Sequence, residues 1–358
     1  MLYMLNVIFF IVYCYMTNID STNKYKNVKY SNAASLLTFL PIIFMFTIVP
    51  GLQWGVGNDY FEYVSIIENV NLSKDRYQDE YLFFFIVKTI NYFDFDAQLF
   101  FIISSFIVFF NFTILGNKLR KYGFDFSFVI LSLIVVSTIY HSQMNITRQA
   151  IAASFLLISS LLFFESKFIK SIIVFFLAVG FHKTSVIVFP LFFILKIKIP
   201  KYAVLCIFAA SVPIYLFFIP GMINIIVTDY YTSFSHYIYS HSPPGSIVNV
   251  LSKVYYFPLL MSSLLLSYKS NGVVDNLARA FNTLLACLFF SCLLILSSSI
   301  YARILFYIFP FVIFSISYLY VKSNDLVKLL ILFYILLPYV IKVILLPSGE
   351  YTYQTYLF

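Results

Sequence analysis

Charged residues are scarce in this chain. Asp, Glu, Lys and Arg make up only 11% of its 358 residues, whereas 61% are hydrophobic and the mean hydropathy is +0.91. Soluble globular proteins carry charge on about a quarter of their residues. A sequence with so little polar surface excludes a soluble globular protein.

Motifs for metal and nucleotide chemistry are also missing. The four cysteines lie in or beside apolar runs, and the spacing of Cys287 and Cys292 does not suit a metal site, so we expect buried small hydrophobic residues. No zinc, nucleotide or dinucleotide motif is present, and we expect neither a metal nor a cofactor. The net charge of +8 is spread over short loops, so no nucleic-acid partner is expected.

Apolar runs recur along the whole sequence. Several approach the roughly 20 residues that a helix needs to cross a bilayer, and a helix satisfies its own backbone hydrogen bonds in lipid. The first run lacks the basic start and cleavage site of a signal peptide. The sequence predicts an all-α, polytopic integral membrane protein with about 12 transmembrane helices. The runs are residues 2–16, 33–50, 98–115, 126–140, 148–164, 168–181, 184–195, 202–219, 254–268, 280–297, 302–320 and 329–346.

The distribution of Lys and Arg orients these helices. Six short loops hold 15 of the 23 basic residues and only five of the 15 acidic ones. By the positive-inside rule these loops are cytoplasmic. They are residues 17–32, 116–125, 165–170 and 196–201, the loop holding Lys269 and Arg279, and the loop holding Lys322 and Lys328.

One apolar stretch, residues 81–93, is short and contains Lys88. Counting it as a crossing would place the basic loop 116–125 outside. We therefore interpret 81–97 as a re-entrant or interfacial helix on the outer face. Both termini then lie outside, residues 1–358 form a single integral membrane domain, and the large outer loops are 51–97 and 220–253.

A few cationic residues lie on the face opposite the basic loops. Arg148 begins one run, His182 and Lys183 follow the return run, and Arg303 opens a later one. Because the two runs of the hairpin have similar lengths, Arg148 and His182 are expected at similar depth on one face. Arginine binds phosphate oxygens in a bidentate manner, so the set predicts an outer site for an anionic ligand. The alternative is that these cationic side chains bind no ligand and only extend to the lipid headgroups.

The outer loops supply acids and aromatic residues. Asp59 and Glu80 are candidates for orienting or deprotonating a hydroxyl, and His182 for binding phosphate or transferring a proton. The alternative is that these two acids only form part of a solvated acidic loop. Tyrosines of the second outer loop are candidate sugar contacts, beside the alternative of an interfacial aromatic belt. These tyrosines are Tyr230, Tyr231 and Tyr237.

Four segments resemble the EpsG-type polysaccharide polymerases. Gly57-Asn58-Asp59-Tyr60, followed by Glu80-Tyr81, resembles their first outer segment, and Asn145-Ile146-Thr147-Arg148-Gln149 resembles their Arg-Gln helix start. Phe181-His182-Lys183-Thr184-Ser185 is similar to their Phe-His element, and Tyr301-Ala302-Arg303 to a late arginine helix. The resemblance covers most of the chain, from about residue 50 to about residue 320.

The resemblance implies a Wzy-like glycosyltransferase of O-antigen, lipopolysaccharide or capsule biosynthesis. Such a polymerase joins undecaprenyl-pyrophosphate-linked oligosaccharide repeats at the periplasmic face of the bacterial inner membrane, without a metal. Arg148, Lys183 and Arg303 would then bind the pyrophosphate, with Asp59, Glu80 and His182 as catalytic residues. Membrane lipid and a chain-length regulator protein are the expected partners.

Two other functions stay open. An O-antigen ligase uses the same type of lipid-pyrophosphate donor. A transporter of polysaccharide or lipid-linked oligosaccharide would concentrate its binding residues near the bilayer midplane, often in paired repeats. The cations of this chain stand at one face and no repeat is evident, which favours an enzyme.

Overall fold

The computed structural model describes residues 2–17, 19, 32–70, 77–217, 247–288, 300–345, 347 and 349–355. Over these residues the regular structure is helical, with turns and loops between the helices and an isolated antiparallel bridge between Gln53 and Thr355. By their contacts the residues divide into two compact units, Met1–Phe189 with Tyr320–Phe358, and Pro190–Leu319. The single-domain interpretation stays a prediction.

The first unit contains the N-terminal nine helices of the described chain. Seven of them follow the predicted apolar runs because lipid leaves the backbone no hydrogen-bond partner outside its own helix. The other two, Tyr60–Glu68 and Tyr81–Tyr92, lie in the predicted outer loop 51–97, and the first of these was not predicted. The nine helices are α1 (Leu2–Thr17), α2 (Asn32–Gly51), α3 (Tyr60–Glu68), α4 (Tyr81–Tyr92), α5 (Gln98–Arg120), α6 (Phe126–Val135), α7 (Ile139–Ser142), α8 (Thr147–Phe164) and α9 (Phe168–Phe181).

The chain continues from α9 into a 3-10 helix, Lys183–Lys196, with Pro190 inside it. Where the structure describes the second unit, it contains six α-helices and the short 3-10 turn Phe309–Phe311. Its described core includes Phe281 stacked on Phe314 at 3.7 Å. The helices are α10 (Lys201–Phe217), α11 (Ile247–Val254), α12 (Phe257–Ser267), α13 (Val273–Leu288), α14 (Ile300–Ile308) and α15 (Val312–Lys322).

The last helix, α16 (Asp325–Val340), belongs to the first unit and continues as a π-helical turn, Ile341–Leu345. It begins where the Asn324 side chain accepts a hydrogen bond from the Val327 N–H at 3.0 Å, an N-cap. Among the described residues, five helical segments are long and apolar enough to span a bilayer: Gln98–Arg120, Thr147–Phe164, Val250–Ser267, Arg303–Lys322 and Asp325–Leu345. With the shorter apolar helices, they confirm the all-α polytopic membrane protein.

Helix α8 lies at the centre of the first unit, with nearly all of its residues buried. It packs against α9 through reciprocal hydrogen bonds of Ser159 and Ser171, each hydroxyl donating to the other residue's carbonyl at 2.8 Å. On its other side, the Asn111 amide of α5 donates to the Ser154 hydroxyl at 2.9 Å. These small polar residues let the helices approach closely in an apolar environment.

Within the first unit, loops that the distribution of Lys and Arg assigns to the same side of the membrane contact one another. At one end, Arg120 donates to the Ile19 carbonyl at 3.1 Å and Tyr122 donates to Glu165 at 2.9 Å, which joins three basic loops. At the other end, the Asn58 N–H donates to Asn145 at 2.9 Å. The unit therefore has one end built from the basic loops and another built from the segments predicted to be outside.

Both ends of α4 lie at this second end. Glu80, at its start, contacts Arg148 and His182. Beyond its last turn, Gln98 donates to the Gln53 carbonyl at 3.0 Å. A helix whose two ends return to one end of the unit agrees with the predicted re-entrant or interfacial segment.

Candidate functional site

The candidate site is centred on the carboxylate of Glu80, which is only 2% exposed. One oxygen of Glu80 accepts a hydrogen bond from the Arg148 guanidinium. The other lies 2.6 Å from His182 Nδ1 and accepts the Lys183 backbone N–H at 3.3 Å. Residues far apart in the chain thus converge on a single buried carboxylate.

Three helix ends position this cluster. Glu80 immediately precedes α4, Arg148 lies in the first turn of α8, and His182 is the C-cap of α9. The short turn between α8 and α9 makes these helices an antiparallel hairpin, so the start of α8 and the end of α9 lie side by side. The sequence argument places Arg148 and His182 at one depth, and the structure brings them together through Glu80.

Gly180 allows α4 to approach this hairpin. A Cβ atom at position 180 would lie 2.9 Å from Leu82 Cγ, closer than real Cβ contacts. Any side chain there would push away the first turn of α4, which follows Glu80 directly. The glycine therefore helps to set the distance between Glu80 and His182.

Aromatic residues enclose the Arg148 guanidinium. Its carbon lies 4.4 Å from the centre of the Tyr77 ring and 5.0 Å from that of Phe83. Tyr63 is buried, and its hydroxyl lies 3.4 Å from Arg148 Nε. The faces of these rings attract a cation, so they hold Arg148 in place and keep its side chain only 16% exposed.

The carboxylate is ionised because Arg148 and His182 both donate hydrogen bonds to it. Burial raises the pKa of Glu80, but the hydrogen bonds and charges of His182 and Arg148 outweigh burial and hold this pKa below its ordinary value. A charged Glu80 keeps a proton on His182 Nδ1, which makes Nε2 the basic nitrogen of the imidazole. The carboxylate thus orients the histidine.

Lys183 is the most accessible cation of the cluster. Its side chain is 53% exposed, and its ammonium group lies 3.1 Å from Asp79. The structure shows that Glu80 and Asp79 offset the charges of Arg148 and Lys183, so the site is close to neutral before any ligand binds.

Asp59 is held next to the cluster by a residue that sequence reasoning missed. The Asn145 side chain accepts the backbone N–H groups of Asn58 and Asp59 at 2.9 and 3.2 Å. Gly57 adopts φ +76°, and a Cβ there would lie 2.8 Å from Asn145. The two motifs that carry Asp59 and Arg148 therefore touch, and Gly57 was the signal in the sequence for this close approach.

The remaining predicted residues lie in the second unit or outside the described residues. Arg303 lies exposed in α14 of the second unit, and its role in binding pyrophosphate stays a prediction. Tyr230, Tyr231 and Tyr237 lie outside the described residues. Tyr63, Tyr77 and Asn145 are additions that only the folded structure identifies.

The sequence model of the EpsG family matches residues 35–358, which include every residue of the cluster. The chain belongs to the EpsG family. This confirms the resemblance, and it indicates a polysaccharide polymerase-like function for this EpsG-family membrane protein. No curated protein and no solved structure shows a significant match to the chain.

Proposed function

We propose that this EpsG-family protein is an O-antigen or capsule polymerase of the bacterial inner membrane. It transfers a growing oligosaccharide chain from undecaprenyl pyrophosphate to the non-reducing end of a second lipid-linked repeat, at the periplasmic face. The observation that carries the proposal is the convergence of Arg148 and His182 on the buried Glu80 carboxylate. Such a buried, charged, hydrogen-bonded cluster at helix ends is typical of a functional site.

His182 acts as the general base in this proposal. The hydroxyl oxygen of the acceptor sugar forms a bond to the anomeric carbon of the donor, while the bond from that carbon to the pyrophosphate oxygen breaks. The hydroxyl proton passes to His182 Nε2, and the pyrophosphate leaves with the bonding electron pair. The configuration at the anomeric carbon inverts because the acceptor attacks opposite the leaving group.

Glu80 is a positioning residue in this step. Both of its oxygens are engaged by donors of Arg148, His182 and Lys183, so it acts through those partners. It fixes the orientation and the tautomer of His182 as the carboxylate of a catalytic triad does. Asp59, half-buried beside Asn145, is proposed to orient the acceptor hydroxyl.

Fixed cations stabilise the leaving pyrophosphate. We assign this role to Lys183, Arg148 and Arg303, with Lys183 the best exposed of the cluster. The pyrophosphate gains negative charge as its bond to the sugar breaks, and preorganised cations stabilise that charge without a metal. Asp79 releases Lys183 to the ligand in this scheme, because an exposed ion pair is worth only about 0–1 kcal/mol.

A deletion strain tests the proposal. Loss of the gene should leave single repeats on the surface lipid and remove the ladder of longer polymers seen by electrophoresis, and the wild-type gene should restore the ladder. A ligase would instead leave lipid-linked polymer intact in the deletion strain. A transporter would leave unpolymerised repeats on the cytoplasmic leaflet. Either of these two outcomes would refute the polymerase.

A further inference from the structure

A groove with a volume of about 610 Å³ lies in the first unit, away from the Glu80 cluster. Its walls come from Trp54, from one side of α3 and from the segment that connects α4 to α5. Both aromatic rings and carboxylates line it. Its lining residues include Trp54, Phe61, Glu68, Asn91, Asp94 and Phe95.

The aromatic residues of this groove expose much of their surface. Trp54 is 45% exposed, Phe61 58% and Phe95 53%, and the rings of Trp54 and Phe61 meet edge to face at 5.8 Å. Sugar rings present apolar C–H faces that stack on aromatic rings, and hydroxyl groups that donate to carboxylates. A groove that combines both surfaces suits a carbohydrate.

The charge of the groove excludes two other occupants. Glu68, Asp94 and Asp96 line it, and none of its lining residues is Lys or Arg. Carboxylates repel a pyrophosphate, so the cationic residues around Glu80 form a better site for that group. They also repel anionic lipid headgroups, whereas residues that anchor a protein to such headgroups are usually Lys and Arg. The groove therefore suits the uncharged part of an oligosaccharide.

Hydrogen bonds hold the wall of the groove in place. Gln98, which is buried, donates to the Gln53 carbonyl at 3.0 Å and accepts from the Tyr60 hydroxyl at 3.2 Å. The Asn91 amide donates to the Ile67 carbonyl at 3.0 Å. Asp94 is held at φ +51°, a conformation that non-glycine residues adopt infrequently and that tends to occur at functional sites.

Two helices connect the groove to the Glu80 cluster. Helix α3 places Tyr63 against Arg148 and Phe61 in the groove. Helix α4 begins after Glu80 and reaches Asn91 at its other end, about 17 Å further along at 1.5 Å per residue. A short oligosaccharide, and not a single sugar, spans such a distance.

We propose that this groove is a carbohydrate-binding subsite, which holds the uncharged sugars of the oligosaccharide while its reacting end lies at His182. This inference rests on the proposed polymerase function. It assigns a role to the aromatic residues of the first outer segment, which sequence reasoning gave no function.

The only tryptophan of the chain makes a direct binding measurement possible. Since Trp54 lies in the groove, its fluorescence reports on this subsite in the purified full-length protein. The probe is the free single-repeat oligosaccharide released from the host's own surface polymer. We expect a saturable fluorescence change with this probe and none with inorganic pyrophosphate.

Phe61→Ala should weaken the binding of this probe about tenfold, the scale of losing one large aromatic contact. Asp94→Asn should weaken the binding of the probe as well. Agreement between the two variants shows that the loss of binding is not caused by a folding defect in one of them. The matched control is Phe85→Ala, because Phe85 is also a highly exposed phenylalanine of this segment, 67%, but does not line the groove. The control should bind as the wild type does.

The result that overturns the inference is a wild-type affinity in Phe61→Ala, or Trp54 fluorescence that brominated lipids quench and the oligosaccharide leaves unchanged. The second result would make the groove part of an aromatic belt. A different result would refute the polymerase function itself, because the wild-type gene would then not restore the ladder in the deletion strain. A restored ladder with no response of Trp54 refutes the subsite alone.

Discussion

Glu80→Gln is expected to reduce polymer extension at least about 100-fold, because general-base catalysis typically contributes 10²–10⁴-fold and His182 loses its orienting partner. Glutamine keeps the size of the side chain and removes its charge. Arg148 then loses its ion-pair partner in a largely buried position, a change that typically costs about 3–5 kcal/mol of stability. The ladder assay in the deletion strain measures the first effect.

The pH dependence of stability separates the role of this charge from a general packing defect. Because the folded-state pKa of Glu80 lies below its ordinary value of 4.5, its stabilising contribution is complete at neutral pH. That contribution is lost as the pH falls below about 4.5 towards the folded-state pKa. The thermal midpoint of the purified wild type should therefore fall more steeply on acidification than that of Glu80→Gln.

Glu165→Gln is the matched control for this prediction. Glu165 lies at the opposite end of the α8–α9 hairpin and is also bound by a hydroxyl and a cation, Tyr122 at 2.9 Å and Lys167 at 2.6 Å. Its loss should leave the ladder intact. A full ladder in Glu80→Gln, or an equal acid sensitivity of Glu80→Gln and the wild type, would contradict the assigned role.

Arg148→Ala is expected to collapse the ladder to single repeats while the amount of protein in the membrane is maintained. The substitution removes the charge that pairs with Glu80 and the guanidinium that stacks on Tyr77 at 4.4 Å. Removing one group that stabilises a transition-state charge typically costs about 10²–10³-fold in rate. Electrophoresis of the surface polysaccharide, with an immunoblot of the membrane fraction, measures both quantities.

Arg148→Lys should give an intermediate ladder. Lysine keeps the positive charge but lacks the planar guanidinium, which contacts the Glu80 carboxylate and the Tyr63 hydroxyl together. The control is Lys88→Ala, which removes another cation that lies over an aromatic ring, Phe84 at 4.9 Å, on α4. If Arg148→Ala extends polymer as the wild type does, Arg148 has no part in the reaction.

The helices in the apolar runs could be predicted from the sequence because a segment that crosses a bilayer must form its backbone hydrogen bonds internally, which leaves few conformations other than a helix. Each of the 12 predicted runs coincides with helix in the described residues, although the run 126–140 divides at Thr138, which adopts φ +62°. The 3-10 conformation of Lys183–Lys196 was not predicted. Apolar composition alone does not distinguish it from an α-helix, since both satisfy the backbone within the segment.

The site could be predicted only in part. The similar lengths of the two hairpin helices were enough to bring Arg148 and His182 to one level. The choice of Glu80 as their common partner depends on how α4 packs against the hairpin at Gly180, a tertiary contact that no local pattern encodes. Asp59, the other candidate acid of the first outer segment, could not be distinguished from Glu80 in the sequence.

Cysteine labelling in intact cells tests directly whether the Glu80 cluster faces the periplasm, as the proposed function requires. In a background without the four native cysteines, Lys183→Cys and Lys167→Cys place one thiol at each end of α9, at positions of nearly equal exposure, 53% and 52%. A membrane-impermeant maleimide should label position 183 from outside and reach position 167 only after the cells are opened. Labelling of position 167 but not of position 183 in intact cells would contradict the account.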